Sequence, residues 1–146
     1  MKRLYRLILL YVVPLVMMSG AAGCSGSPSV WNDLPDDIAH FVALYFPGQG
    51  VSRYVDEEPG YLVTVAHGPT LIFNESYRWT SIDGNGETLP RMFLFDELPP
   101  PLYSFLQETE NLDDIYKATR DPSSYTVYLS GSAIDYNIAT ARVTEF

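Results

Sequence analysis

Two histidines, His40 and His67, are the first candidates for chemistry, because imidazole serves as a general base and as a metal ligand near neutral pH. Neither has a partner at the H-x-x-x-H or H-E-x-x-H spacing that brings zinc ligands onto one helix face. His40 precedes the apolar Phe41 on an expected helix, and His67 falls in an expected turn. Zinc would need both histidines plus carboxylates, since the chain has a single cysteine, Cys24. The stretch DGNGE, Asp83 to Glu87, places side-chain oxygens at positions one, three and five, as a calcium loop does. Position six is Thr88 instead of glycine, and position twelve is Leu94 instead of a bidentate acid, so the stretch reads as an acidic linker. Asp56-Glu57-Glu58 and Asp113-Asp114 sit beside turn signals, where solvent replaces the apolar pocket that general acid work requires. No G-x-S-x-G and no phosphate loop is present. The sequence predicts no catalytic residue, no metal site and no cofactor.

Binding chemistry is better supplied. Thr64, Thr126 and Tyr128 alternate away from the apolar positions of two expected strands. Arg53 and Lys117 hold matching places in the two halves of the chain, and Trp79 matches Arg142. Aromatic and Arg side chains on an open sheet are the types that dominate interfaces. These seven residues are the expected partner-binding set, although Val51 and Ile115 share the parity of Arg53 and Lys117.

The elements that must position them come in two similar sets. LPDDIAHFVAL, Leu34 to Leu44, is echoed 64 residues later by LPPPLYSFLQE, Leu98 to Glu108. Ile38, Phe41 and Val42 match Leu102, Phe105 and Leu106, and the i, i+3, i+4 spacing puts each trio on one helix face. Pro35 and Pro99 stand where a helix start tolerates proline. FPGQG, Phe46 to Gly50, stops the first helix. YLVTV, Tyr61 to Val65, and YTVYL, Tyr125 to Leu129, alternate as strands packed on one side. Leu71 and Phe73 match Ile134 and Tyr136, and last strands are expected over Tyr77 to Ile82 and Ala139 to Glu145. A short turn of helix is expected within Pro90 to Asp96. The fold class is therefore α+β: two α-β4 repeats, at 34–83 and 98–146 with a linker at 84–97. Their antiparallel sheet carries helices over one face. Half a chain of this size buries too little surface alone, so the halves are expected to share one core.

Leu34-Pro35, Phe46-Pro47-Gly48, Val51, Tyr61-x-Val63-x-Val65, Gly68, Leu71-x-Phe73 and Trp79 together resemble the PepSY-like, β-lactamase-inhibitor-like family of bacterial envelope proteins. The resemblance spans about Asp33 to Phe146. Its second half lacks the FPG stop and has Arg142 where tryptophan would fall. The resemblance implies a fold similar to that of β-lactamase inhibitory proteins and a role in binding or restraining envelope proteins. It does not imply inhibition of a β-lactamase, because shared architecture is weak support for shared activity.

The first 23 residues read as a signal peptide. Lys2, Arg3 and Arg6 precede an apolar run from Leu7 to Met18, and small residues follow up to Cys24. Twelve residues of helix cover about 18 Å, short of a hydrocarbon core of about 30 Å. AAGC resembles a bacterial lipobox, which implies lipidation of Cys24 after cleavage. Residues 24–33 then form a tether, and 34–146 a single domain. Loss of the three leader cations takes the formal charge from −9 to −12, which disfavours nucleic acid. The expectation is a periplasm-facing lipoprotein, on the outer membrane sooner than the inner, holding or inhibiting an unidentified envelope protein without catalysis. The alternative is a small-ligand or cation sensor using the acidic surface.

Overall fold

The structure is a computed structural model that describes residues 30–146. The expected signal peptide, the lipidated Cys24 and most of the tether lie outside the described residues.

A 3-10 turn, Val30–Asp33, leads into helix α1, Asp36–Tyr45. Ile38, Val42 and Tyr45 of α1 are buried, the stripe that period 3.6 requires. Asp36 and Asp37 lie at its positive end. The helix stops at Phe46-Pro47-Gly48, with Gly48 in the left-handed region at φ +75°. Four strands follow: β1 (Val51–Glu57), β2 (Gly60–Val65), β3 (Thr70–Asn74) and β4 (Trp79–Asp83). Helices α2 (Arg91–Glu97) and α3 (Pro100–Glu108) come next, then β5 (Lys117–Arg120), β6 (Ser124–Tyr128), β7 (Ala133–Asn137) and β8 (Arg142–Glu145). The last strand of each set is shorter than its apolar pattern suggested.

All eight strands form one sheet in sequence order, and every neighbouring pair is antiparallel. The sheet is continuous across β4 and β5, where Ser81, Ile82 and Asp83 pair with Thr119, Ala118 and Lys117. Within each set of four strands, short turns leave no room for parallel crossovers, so sequence order becomes spatial order; β4 and β5 are joined through α2 and α3. The helices lie over one face, where Ile38, Val42, Phe93 and Leu102 share a core with Val63, Phe73, Val127 and Ile134. Phe41 meets Phe73 edge-on at 5.3 Å, and Phe93 meets Tyr45 at 5.6 Å.

The expected linker is part of the core. Gly84 N–H donates to Tyr116 O at 2.8 Å and Leu89 N–H to Ile115 O at 2.7 Å, tying the segment to the approach to β5. Leu89, Phe93, Leu94 and Leu98 are buried. Each such side chain stabilises the fold by about 1.5–3 kcal/mol through removal from water. DGNGE is also pinned. Asp83 Oδ1 accepts from Asn85 N–H, and Asn85 Nδ2 donates to Gly68 O at 2.9 Å and Thr70 Oγ1 at 3.0 Å.

Candidate binding face

Strand alternation sorts every side chain to one face or the other. Val63, Val65, Leu71, Phe73, Ile82, Ala118, Val127 and Ile134 point to the helices and are buried. The positions between them point away. Arg53, Thr64, Thr70, Asp83, Lys117 and Tyr128 are successive register partners and form one row across β1 to β6. At about 4.8 Å per strand the row is about 24 Å long. Four of the seven expected binding residues, Arg53, Thr64, Lys117 and Tyr128, stand in it. Thr126 belongs to a second row that crosses all eight strands through Val55, Leu62, Ile72, Ser81, Thr119, Asp135 and Thr144. Arg142 pairs with Asn137 on the same side and is exposed.

Trp79 is the correction. It is 1% exposed and lies in the core, against Phe93 at 5.2 Å and Tyr125 at 6.1 Å. The cause is a register shift in the β3–β4 pair: Phe73 faces Trp79 but Ile72 faces Ser81, so Thr80 is an extra residue. A bulge of this kind puts Trp79 and Ile82, three apart, on one face. A second shift between Val51 and Arg53 resolves the parity conflict of β1, with Val51 turned to the core and Arg53 away from it. Ile115 precedes β5, so its burial does not constrain Lys117.

The indole of Trp79 and the phenol of Tyr45 converge on one carboxylate. Trp79 Nε1 donates to Glu97 Oε2 at 2.7 Å, and Tyr45 Oη donates to Glu97 Oε1 at 3.0 Å. Burial first, then Glu97 and Asp96, pushes the Tyr45 phenol well above its ordinary range. Glu97 thereby locks α2 to both α1 and β4.

On the uncovered face, Lys117 Nζ lies 3.3 Å from Asp83 Oδ2 and 5.6 Å from the centre of the Tyr128 ring. Arg53 is exposed and forms no ion pair among the described residues. Val55, Leu62 and Ile72 floor a hollow of about 410 Å³, with Arg53, Glu57 and Glu58 at its margin. Ile72 is 41% exposed. Sequence reasoning missed this apolar floor. Its signal was the unbroken run Leu71-Ile72-Phe73, which a strand with one wet face has no need to carry. The face therefore combines an apolar floor, hydroxyl donors and two guanidinium groups, Arg53 and Arg142, that form no ion pair among the described residues. A larger hollow of about 700 Å³ lies between the 3-10 turn and the start of β1, lined by Val30, Trp31, Phe46 and Val51 and by no titratable side chain among the described residues.

His40 and His67 are both exposed, and among the described residues no three His, Cys, Asp or Glu side chains cluster closely enough to hold a metal. Asp83, first residue of the calcium-like stretch, is engaged by Lys117 and Asn85. Among the described residues no helix is long and apolar enough to cross a membrane.

An open eight-stranded antiparallel sheet with helices on one side is a fold found in solved bacterial proteins. One is a protein of Bacteroides vulgatus, inferred to be periplasmic and assigned to the DUF2874 family, with TM-score 0.64 and 22% identity over 78% of this chain and 90% of that one. Another from B. vulgatus, inferred to be periplasmic and of unknown function, gives TM-score 0.65 and 21% identity over 79% and 93%. A third, from Bacteroides thetaiotaomicron and inferred to be a calcium-regulated periplasmic protein, gives TM-score 0.62 and 18% identity over 78% and 90%. At these identities the likeness establishes the fold. No family model matches the sequence, and no curated protein matches it.

Proposed function

We propose that this chain is a non-catalytic binding module of the bacterial cell envelope that holds or inhibits an envelope protein through the uncovered face of its sheet. The observation that carries the reading is the cross-strand row Arg53–Thr64–Thr70–Asp83–Lys117–Tyr128 beside the apolar hollow, on a face that no helix covers among the described residues. An apolar floor ringed by hydroxyls and charges is the composition of protein interfaces. The proposed kinship is with PepSY-like proteins. It rests on the Leu34-Pro35, Phe46-Pro47-Gly48 and Tyr61-x-Val63-x-Val65 pattern and on an element order that gives a helix followed by four strands twice.

Location belongs to the same proposal. The leader ending at Cys24 supports lipidation there and an anchor on the periplasmic side, on the outer membrane in preference to the inner. Fold neighbours inferred to be periplasmic agree with that compartment. Capture from solubilised envelope tests the reading: the wild-type chain retains a partner, and T64R together with Y128A releases it. Equal capture by both would remove the face from the account.

The second reading, a cation sensor, draws on the description of one fold neighbour as calcium-regulated. The local geometry gives it less support, because the Asp83 carboxylate already faces Lys117. Calorimetric titration with calcium separates the two readings, and saturable heat would favour the sensor.

A further inference from the structure

The ladder between β4 and β5 ends at Ser81–Thr119. Just beyond it, the Trp79 carbonyl accepts a hydrogen bond from Arg120 Nε, and the guanidinium lies over the indole at 4.5 Å. A cleft of about 310 Å³ opens at this seam between the first four strands and the last four. Arg78, Arg120, Asn74, Asp121, Tyr125 and Ile138 line it.

We infer that this cleft binds the carboxylate of a small organic acid carrying an apolar substituent, with Arg78 and Arg120 as the anion ligands. The cleft adjoins the hollow of the uncovered face, with Asn74 and Thr80 lining both, but its two guanidinium groups lie outside that hollow and the inference does not rest on the docking reading. The chain is acid-rich, at a formal charge of −9, yet neither guanidinium is ion-paired among the described residues. Two like charges lining one cleft repel each other, and an anion between them relieves that repulsion. Asn74 Oδ1 already accepts from Ser76 N–H and Arg78 N–H, which leaves its Nδ2 as a further donor. Asp121 is occupied on its own side, where its carboxylate accepts from Ser123 and Ser124. Its charge still counts, so the cleft carries two cations against one anion and suits a monoanion better than a dianion such as phosphate. A planar carboxylate matches the guanidinium fork, and Tyr125 and Ile138 supply an apolar wall for the substituent.

The experiment titrates the ¹⁵N-labelled full-length chain with N-acetyl-leucine, its amide, hexanoate and inorganic phosphate. The Arg120 Nε–H and Trp79 indole resonances are followed. Saturable shifts with N-acetyl-leucine or hexanoate and none with the amide are expected. Preference between the two acids tells whether a peptide terminus or an aliphatic acid fits better. R78Q removes an exposed cation with no ion-pair partner among the described residues, so the fold is retained and binding weakens about tenfold or more. R120K keeps the charge but loses the fork, and it weakens binding while urea unfolding reports any cost to the seam. Equal response to the amide, tighter binding of phosphate, unchanged affinity in R78Q, or no saturation up to tens of millimolar acid would each overturn the assignment.

Discussion

Glu97 accepts from the Trp79 indole at 2.7 Å, a contact that joins the short helix α2 to the fourth strand. Its other oxygen accepts from Tyr45, so one carboxylate satisfies two donors of the core margin. Glu97→Ala orphans the indole and leaves Tyr45 Oη only the longer contact to Asp96 Oδ2 at 3.4 Å, and an unsatisfied donor costs about 1–3 kcal/mol. Urea unfolding is expected to show a loss of about 2–4 kcal/mol, with a smaller loss for Glu97→Gln, which keeps one acceptor. Trp79→Ala, which empties a buried indole site, is expected to lose about 3–5 kcal/mol. A loss below about 1 kcal/mol in both alanine variants would contradict this account of the helix–sheet joint.

The uncovered face behaves differently. Thr64→Ala and Arg53→Ala remove no core contact and are expected to stay within about 0.5 kcal/mol of wild type. Their effect is expected in partner capture alone. Destabilisation comparable to that of Trp79→Ala would mean that this face is structural.

Gly60 sits where β2 passes β3 closely, and a Cβ there would collide with the carbonyl oxygen of Phe73. Gly60→Ala forces the two backbones apart and is expected to cost about 2 kcal/mol. Gly131→Ala is the control, because a Cβ there meets nothing within 4 Å. Thermal unfolding of the two variants side by side checks the contrast.

Asp121 titrates low for a stated reason. The Ser123 hydroxyl, then the backbone N–H groups of Ser123 and Ser124, hold its carboxyl down at about 2 from an ordinary value of 3.8. The folded chain thus binds this proton more weakly than the unfolded chain. Asp121 contributes stability that is present above about pH 4 and is lost as pH falls through about 2. Carboxyl ¹³C NMR is expected to show the low midpoint in wild type and a shift back towards the ordinary value in Ser123→Ala. An unchanged midpoint would assign the depression to another cause.

The helices and most strands were legible because burial imposes a period on the chain. Ile38, Phe41 and Val42 mark one helix stripe, with Phe41 half-buried and Tyr45 completing it in the structure, and Val63, Val65 and Val127 mark strand faces. The single continuous sheet was not legible, because periodicity within strands says nothing about which edges meet. The role of 84–97 was hidden as well. A short turn of helix is expected within Pro90 to Asp96, and α2 spans Arg91–Glu97, but the bridge from Glu97 to Trp79 and Tyr45 leaves no periodic mark in the sequence. Trp79 was misplaced because an extra residue at Thr80 reverses parity without leaving a mark in the pattern. Arg120 escaped notice for a related reason: its role depends on where the β4–β5 ladder ends.

The most direct test of the proposed docking face is site-specific photo-crosslinking in the native organism. A photoreactive residue is placed at position 64 or 126 on the uncovered face, and at the exposed position 104 on α3. The account predicts the same envelope-protein adduct from 64 and 126 and none from 104. An adduct from 104 alone, or no adduct from either sheet position, would contradict it.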